Sequence, residues 1–144
     1  MRESTGKFPL IFKERSFYKI DKKKIKFTQK DLQFITLVSD VALLGGKLSF
    51  KVRVTKSQHL KIGFCKKLQE YKDGECFCDF EDGFAYYNKG FSRNDSAFAG
   101  LLYGPDLFEK GDYDIVSTIW FSKGIISFEI DGKDYDVAFK EPEI

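Results

Sequence analysis

The stretch GIISFEIDGKDYDVAF, residues 124–139, alternates apolar and polar side chains on either side of an Asp-Gly pair. Asp131 and Gly132 suit a two-residue type I′ turn, because both tolerate the positive φ that this turn needs at its central positions. The turn fixes which residues face each other, and the apolar side chains then share one side of the hairpin. The sequence therefore predicts an antiparallel hairpin with one buried face. The apolar pairs expected on that face are Phe128 with Tyr135 and Ile126 with Val137.

The same period of two recurs along the chain. In KLSFKVRVT, residues 47–55, alternate positions are apolar and the others are mostly charged, as in an antiparallel sheet with one wet face. Trp120 is expected to pack in the core, because its neighbours in YDIVSTIWF alternate in the same way. Shorter strands are predicted at 59–64, 75–80 and 83–88, a hairpin at 16–28, a strand and a turn at 31–44, and mostly loop at 91–107. Short strands with frequent turn signals are typical of an all-β sandwich or barrel.

The composition fits a single intracellular domain. The chain has 144 residues with 16 Phe and 7 Tyr, a β-rich composition, and this length can form a core without disulfides. The net charge of +2 gives no general case for a nucleic acid or a membrane as partner. Three cysteines without the spacing of a disulfide framework indicate a reducing compartment, and FPLIF is too short for a signal peptide or a membrane span. We expect a cytoplasmic protein, with a nuclear or cytoskeletal assembly as alternatives.

Five segments in order resemble the SPRY domain family. They are GKLSFKVRV, KIGFCKK, DGFAYYNKG, YGPDLFEKGD and GIISFEIDGKDYDVAF. The last is the most specific, because the family has a Ser-Phe-x-x-Asn/Asp-Gly-x-x-x-Gly-Val-Ala-Phe hairpin there. The resemblance implies an all-β fold, a bent sandwich of two antiparallel sheets with jelly-roll-like, concanavalin-like topology. It places the domain at 16–140, between an N-terminal extension at 1–15 and a tail at 141–144.

The resemblance also implies a function. SPRY domains are non-catalytic modules that bind a short peptide or a loop of a partner protein, as adaptors or scaffold subunits, so no enzyme activity and no cofactor is expected. This sequence departs from the family pattern at Asp136, where Gly is usual, and at Asp114, where an Ile-Gly-Val pattern is expected. The family's further strand after the hairpin is not present here. We expect the N-terminal thirty residues or a partner to take its place.

Two loops are candidates for partner binding, because loops on a rigid sandwich carry recognition and exposed Tyr and Arg are frequent interface anchors. One loop lies around Tyr71 and the other spans 91–98. The alternative is that Tyr71 and Phe98 fold back onto the sandwich while the polar residues are solvated. The partner-binding residues proposed from the two loops are Tyr71, Lys72, Arg93, Asn94, Asp95 and Phe98.

Other chemistry has weaker signals. Glu75, Asp79 and Glu81 would share one face of a strand, which leaves a carbohydrate-binding or glycoside-hydrolysing jelly roll as the alternative function. Cys76 and Cys78 lack the C-x-x-C spacing of a zinc site, so they are expected to be small buried hydrophobes and no metal is predicted. The run Lys22-Lys23-Lys24 fits a solvated hairpin tip better than a nucleic-acid contact.

Overall fold

A computed structural model gives the fold of the chain. It describes residues 5–7, 18–21, 24–27, 36–39, 41–55, 59–66, 71–72, 74–95, 100–108 and 110–141. Among these residues, the helical segments are two short 3₁₀ helices, Phe77–Asp79 and Phe121–Lys123. The strands are β1 (Thr5–Lys7), β2 (Tyr18–Asp21), β3 (Lys24–Phe27), β4 (Lys47–Val54), β5 (Lys61–Cys65), β6 (Gly83–Tyr87), β7 (Phe91–Arg93), β8 (Leu101–Leu102), β9 (Tyr113–Trp120), β10 (Ile125–Ile130) and β11 (Lys133–Lys140).

The strands form two larger sheets and one hairpin. The five-stranded sheet has the order β1-β4-β9-β10-β11, and the four-stranded sheet has the order β5-β6-β7-β8. All neighbours pair antiparallel except β1 and β4, which are parallel. Neither sheet closes into a barrel, and the expected all-β, two-sheet sandwich is confirmed. The limits of the domain stay a prediction.

The core lies between the two larger sheets. Phe84 and Tyr86 of β6 face Ile115 of β9 and Phe128 of β10 in one buried cluster. The ring centroids of Tyr86 and Phe128 are 5.9 Å apart. Burial of side chains this large, about 2 kcal/mol each, is what holds the two sheets face to face.

Strand β9 shows why alternation predicts burial in the centre of the sheet. Its residues are alternately buried and half-buried along all eight positions. Ser117 and Ile119 point into the sandwich, so Trp120 points out of it, where it is half-buried. The expectation that Trp120 packs in the core is therefore wrong, because the odd-numbered residues of β9 point inward and Trp120 is at an even-numbered position.

The turn predicted at Asp131 and Gly132 is confirmed. Asp131 has φ 50° and Gly132 has φ 84°, which are the two left-handed residues that a type I′ turn requires. Beyond the turn, Ile130 pairs with Lys133.

The register further along this hairpin differs from the prediction. The register shifts twice between β10 and β11, so Ile126 faces Phe139 rather than Val137. Val137 lies opposite Ser127 and is 46% exposed. The expected pair of Phe128 with Tyr135 does not form for the same reason. The physical cause is two extra residues on β11, one between Asp134 and Val137, where Asp136 has φ 64°, and one between Val137 and Phe139.

Three other predictions from the sequence have different outcomes. The hairpin at 16–28 is confirmed by the antiparallel pairing of β2 with β3. The strand at 75–80 is wrong, because Phe77–Asp79 is a 3₁₀ helix. In 31–44 the described residues, 36–39 and 41–44, contain no strand, and the rest of that stretch lies outside the described residues.

The ends of the five-stranded sheet bear on the expectation that the N-terminal residues supply a further strand beside the hairpin. The short strand β1 adds to β4, at the edge opposite β11, and β2 and β3 form their own sheet. The N-terminal strands that the structure describes therefore do not cover β11. Within the described ranges, no helix combines the length and the apolar character needed to cross a membrane.

Candidate functional site

The candidate site lies where the last strands of the two larger sheets approach each other. Strand β8 ends the four-stranded sheet and β11 ends the five-stranded sheet. A groove of about 350 Å³ opens between them. Its lining residues come from β7, the loop after it, β8, β11 and the residue after β11, and they are Ser92, Asn94, Asp95, Leu101, Ala138, Phe139 and Glu141.

The groove combines an apolar floor with a polar rim. Phe139 and Ala138 pack against the core from β11, and the Phe139 ring lies 5.1 Å from the Phe84 ring. Leu101 of β8 is 60% exposed, and its neighbour Leu102 is 85% exposed. Asp95 and Glu141 supply carboxylates beside this apolar surface. Apolar side chains with a few polar groups are the usual lining of a binding site.

Tyr103 ties the loop after β8 to the irregular part of the hairpin. Its hydroxyl accepts a hydrogen bond from the Phe128 N–H at 3.1 Å and donates one to the Asp136 carbonyl at 2.5 Å. These are backbone groups of β10 and β11 at the site of the register shift. Burial raises the pKa of Tyr103 to about 12, so its hydroxyl keeps its proton at neutral pH. The tyrosine therefore fixes the position of β8 relative to β11, and with it the width of the groove.

Contacts between the end of β7 and the segment 79–83 also support the groove. The Asn94 amide donates to the carbonyls of Glu81 and Gly83, at 2.9 and 2.6 Å. Arg93 forms an ion pair with Asp79 at 3.7 Å. A side chain at Gly83 would collide with the Phe77 carbonyl, since its Cβ would lie 2.1 Å from that oxygen. Glycine at this position lets the 3₁₀ helix lie against β6.

Both loops proposed from the sequence contact the segment 79–83. Arg93 and Asn94 form polar contacts with it, and the Tyr71 ring packs near the Phe80 ring. Asn94 and Asp95 line the groove, and Asp95 has a left-handed backbone with φ 69°. Phe98 lies outside the described residues.

The loop at Tyr71 lies apart from the residues that line the groove. Tyr71 is half-buried, with its ring 5.8 Å from the ring of Phe80. Lys72 is exposed, and its backbone N–H donates to the Glu75 carboxylate at 2.7 Å. The contact of Tyr71 with Phe80 agrees with the alternative that this tyrosine folds back.

The acidic residues of this region do not form the strand face that a carboxylate pair was expected to need. Asp79 is in the 3₁₀ helix, where its carboxylate accepts the Cys76 N–H at 3.3 Å. Glu75 closes the turn to Lys72, and Glu81 is exposed. The expected common face of these three residues is therefore wrong, because a capped turn replaces the alternating strand.

The nearby cysteines behave as part of a small second core. Cys76 and Cys78 are buried with Ala85, as expected for free cysteines. Burial raises the pKa of the Cys78 thiol to about 11, so it is protonated at neutral pH. In the part of the chain that the structure describes, no three His, Cys, Asp or Glu side chains are grouped to hold a metal ion.

The apolar half of the groove was not predicted from the sequence. Leu101, Ala138 and Phe139 come from two segments that are far apart in sequence, and 91–107 was expected to be mostly loop. That segment contains β7 and β8. The adjacent Leu101 and Leu102, in a segment otherwise rich in polar and turn residues, were the signal that could have indicated an exposed apolar edge.

No protein-family model matches the chain, and no curated protein is similar enough to match it.

Proposed function

We propose that this chain is a SPRY-like, non-catalytic protein–protein interaction module. Its groove between β8 and β11 binds a short peptide or a loop of a partner protein. The single observation that carries the proposal is the groove itself, in which exposed Leu101 stands beside the apolar floor of Phe139 and Ala138. Contiguous apolar surface rimmed by polar groups is typical of an interaction site.

The edge strand gives a physical mode for such binding. Among the described strands, β11 is the last of its sheet, so alternate backbone N–H and C=O groups face away from β10. An extended peptide can add to an edge of this kind with backbone hydrogen bonds, while pockets for its side chains give specificity. A volume of about 350 Å³ is near the lower end of the range of about 300–1,000 Å³ for ligand pockets. The groove therefore suits a short segment with one or two anchoring side chains.

The backbone at Asp136 supports the SPRY-like part of the proposal. The family pattern has Gly at this position, and Asp136 has φ 64°, a conformation that favours glycine. The chain would then keep the backbone geometry of the family's hairpin with a different residue. As an adaptor or scaffold subunit of this kind, the protein would act in the cytoplasm.

The groove can be tested with peptides selected on the intact chain from a random displayed library. We expect the selected peptides to bind Leu101→Asp at least about thirty-fold more weakly, which is the effect of losing a hot-spot anchor of about 2 kcal/mol. Leu44→Asp is the matched control, because Leu44 is 94% exposed and does not line the groove. Its affinity should equal that of the wild type, and circular dichroism should show that both variants are folded.

Two results would reject the groove. One is a library that yields no peptide specific for the chain. The other is a set of peptides that bind Leu101→Asp and the wild type equally. Peptides that instead lose affinity on Tyr71→Ala would place the site at the loop around Tyr71.

A further inference from the structure

The charge of the groove between β8 and β11 has one sign. Among the described residues that line it, Asp95 and Glu141 are carboxylates and the others are neutral. The basic residues nearest to them in sequence are Arg93 and Lys140, and neither lines the groove. Arg93 is instead paired with Asp79 at 3.7 Å. A cleft lined by negative charge raises the local concentration of cations, so the groove favours a positively charged group.

Glu141 is the carboxylate best placed to meet such a group. It lines the groove two residues after Phe139, while Lys140 between them lies on the other face, because side chains alternate along a strand. Its backbone N–H donates to the Gly124 carbonyl at 2.8 Å, which holds it at the end of the groove. The Glu141 side chain is exposed and forms no ion pair or hydrogen bond with the residues that the structure describes. Asp95 also interacts within the chain, so Glu141 is the main free charge.

Asn94 adds a neutral acceptor to these carboxylates. Its amide nitrogen donates to the carbonyls of Glu81 and Gly83, at 2.9 and 2.6 Å, and an amide nitrogen has two hydrogens. Both donors are therefore used, and no described residue donates to the amide oxygen. The groove thus offers oxygen acceptors on two of its sides and no charged donor among its described lining.

Arginine is the side chain that matches this set of acceptors. Its guanidinium has five N–H donors and no acceptor, and it keeps its charge at every pH at which the protein is folded. Its aliphatic stem can lie along an apolar surface while the head stays at a polar rim. Leu101 and Phe139 supply that surface, and a volume of about 350 Å³ has room for one such side chain. Arginine is also one of the residues that most often anchor protein interfaces.

We propose that the segment bound in the groove is anchored by an arginine, whose stem packs against Leu101 and Phe139 and whose guanidinium pairs with Glu141. The remaining donors of the guanidinium face the oxygens of Asn94 and Asp95. This inference rests on the proposed function, because it assigns the chemistry of the partner at the same groove. A nucleic acid or an anionic membrane would instead meet two carboxylates there.

The test uses the peptides selected on the intact chain from the random displayed library, with affinities measured by calorimetry. We expect arginine to be enriched in them over the input library. Replacement of that arginine by citrulline, which keeps the shape and removes the charge, should weaken binding about ten-fold, as for the loss of a hydrogen-bonded charge. Glu141→Gln should weaken binding about three-fold, and Glu141→Gln combined with Asp95→Asn about ten-fold, which is the range for exposed ion pairs. Added salt should weaken binding to the wild type, since exposed charges are screened.

Asp112→Asn is the matched control. It removes the same charge from an exposed carboxylate that precedes β9 and does not line the groove, so its affinity should equal that of the wild type. Peptides whose binding does not depend on Leu101 would reject the groove itself, and this inference with it. Peptides that depend on Leu101 but are not enriched in arginine would keep the groove and overturn the arginine anchor. Equal binding by the wild type and the variant with both Glu141→Gln and Asp95→Asn would overturn it as well.

Discussion

Strand β10 pairs with β9 in an unbroken register and with β11 in a register that shifts. With β9 it forms six consecutive pairs, from Ile125–Trp120 to Ile130–Ile115, without a break. With β11 the register shifts twice over a similar length. Alternation in a sequence therefore predicts burial only while both strands contribute the same number of residues.

The two shifts on β11 can be located. From Ser127 to Glu129 is two residues on β10, whereas their partners Val137 and Asp134 are three apart on β11. From Ile126 to Ser127 is one residue, whereas their partners Phe139 and Val137 are two apart. Each shift inserts one residue into β11 and reverses the phase of alternation. The second insertion restores what the first one reversed, so Val137 turns outward while Tyr135 and Phe139 both pack on the core.

The largest expected effect contrasts Phe128, which is buried where β10 pairs regularly with β9, with Val137, which the register shift turns outward. Phe128→Ala should lower the free energy of unfolding by about 3–5 kcal/mol, because it leaves a cavity where a side chain is 1% exposed. Val137→Ala should change it by less than about 0.5 kcal/mol, as for other surface substitutions. Urea denaturation followed by circular dichroism measures both. Similar losses in the two variants would mean that Val137 is buried and that the unbroken register is correct.

A middle-sized effect tests what holds the irregular side together. Tyr103→Phe keeps the ring but removes the hydroxyl that joins the Phe128 N–H to the Asp136 carbonyl. Leaving the partly buried Phe128 N–H without a partner costs about 1–3 kcal/mol, which is the loss that we expect in urea. Exchange of the Phe128 amide hydrogen should become faster than that of amides between β9 and β10. Unchanged stability and exchange would show that the hydroxyl does not bridge the strands.

The same tyrosine gives a pH dependence. Its pKa rises to about 12 in the folded chain, from an ordinary value of 10.0, chiefly through burial. Between these values the unfolded state loses the proton while the folded state keeps it, so ionisation favours unfolding. Stability should therefore fall as the pH rises above 10, and it should fall less steeply in Tyr103→Phe than in the wild type. Equal slopes would contradict the raised pKa.

The two sides of β10 also show how much of the fold and of the groove can be predicted from the sequence. The Asp-Gly turn and the alternation in β4 and β9 are local signals, and the structure follows them. The break on β11 is bridged by Tyr103, which lies 25 residues from Phe128 in sequence, and no local pattern reports that contact. The groove has the same origin, because its apolar and polar halves come from separate segments. In 75–80 the period of two was misleading, since close packing at Gly83 and the Asp79 cap favour a 3₁₀ helix.

The smallest expected effect compares two aspartates on the same hairpin. Asp131 and Asp136 are both left-handed, with φ 50° and 64°. The Asp136 side chain makes no hydrogen bond or ion pair with the described residues, so Asp136→Gly should mainly relieve backbone strain. We expect a gain of about 0.5 kcal/mol, because the greater freedom of glycine in the unfolded chain offsets part of the relief.

Asp131→Gly is the matched substitution and should have the opposite sign. The Asp131 carboxylate accepts the Asp114 N–H at 2.9 Å and pairs with Lys110 at 3.2 Å, so glycine removes contacts as well as strain. Its pKa is lowered chiefly by that backbone hydrogen bond, so the contribution of Asp131 should be present above the ordinary pKa and disappear as the pH falls through the lowered one. A gain of stability in both variants, measured at pH 7 in urea, would mean that strain alone governs the hairpin. A loss in Asp131→Gly only would show that one left-handed aspartate is kept for its side chain and the other for the register that its backbone sets.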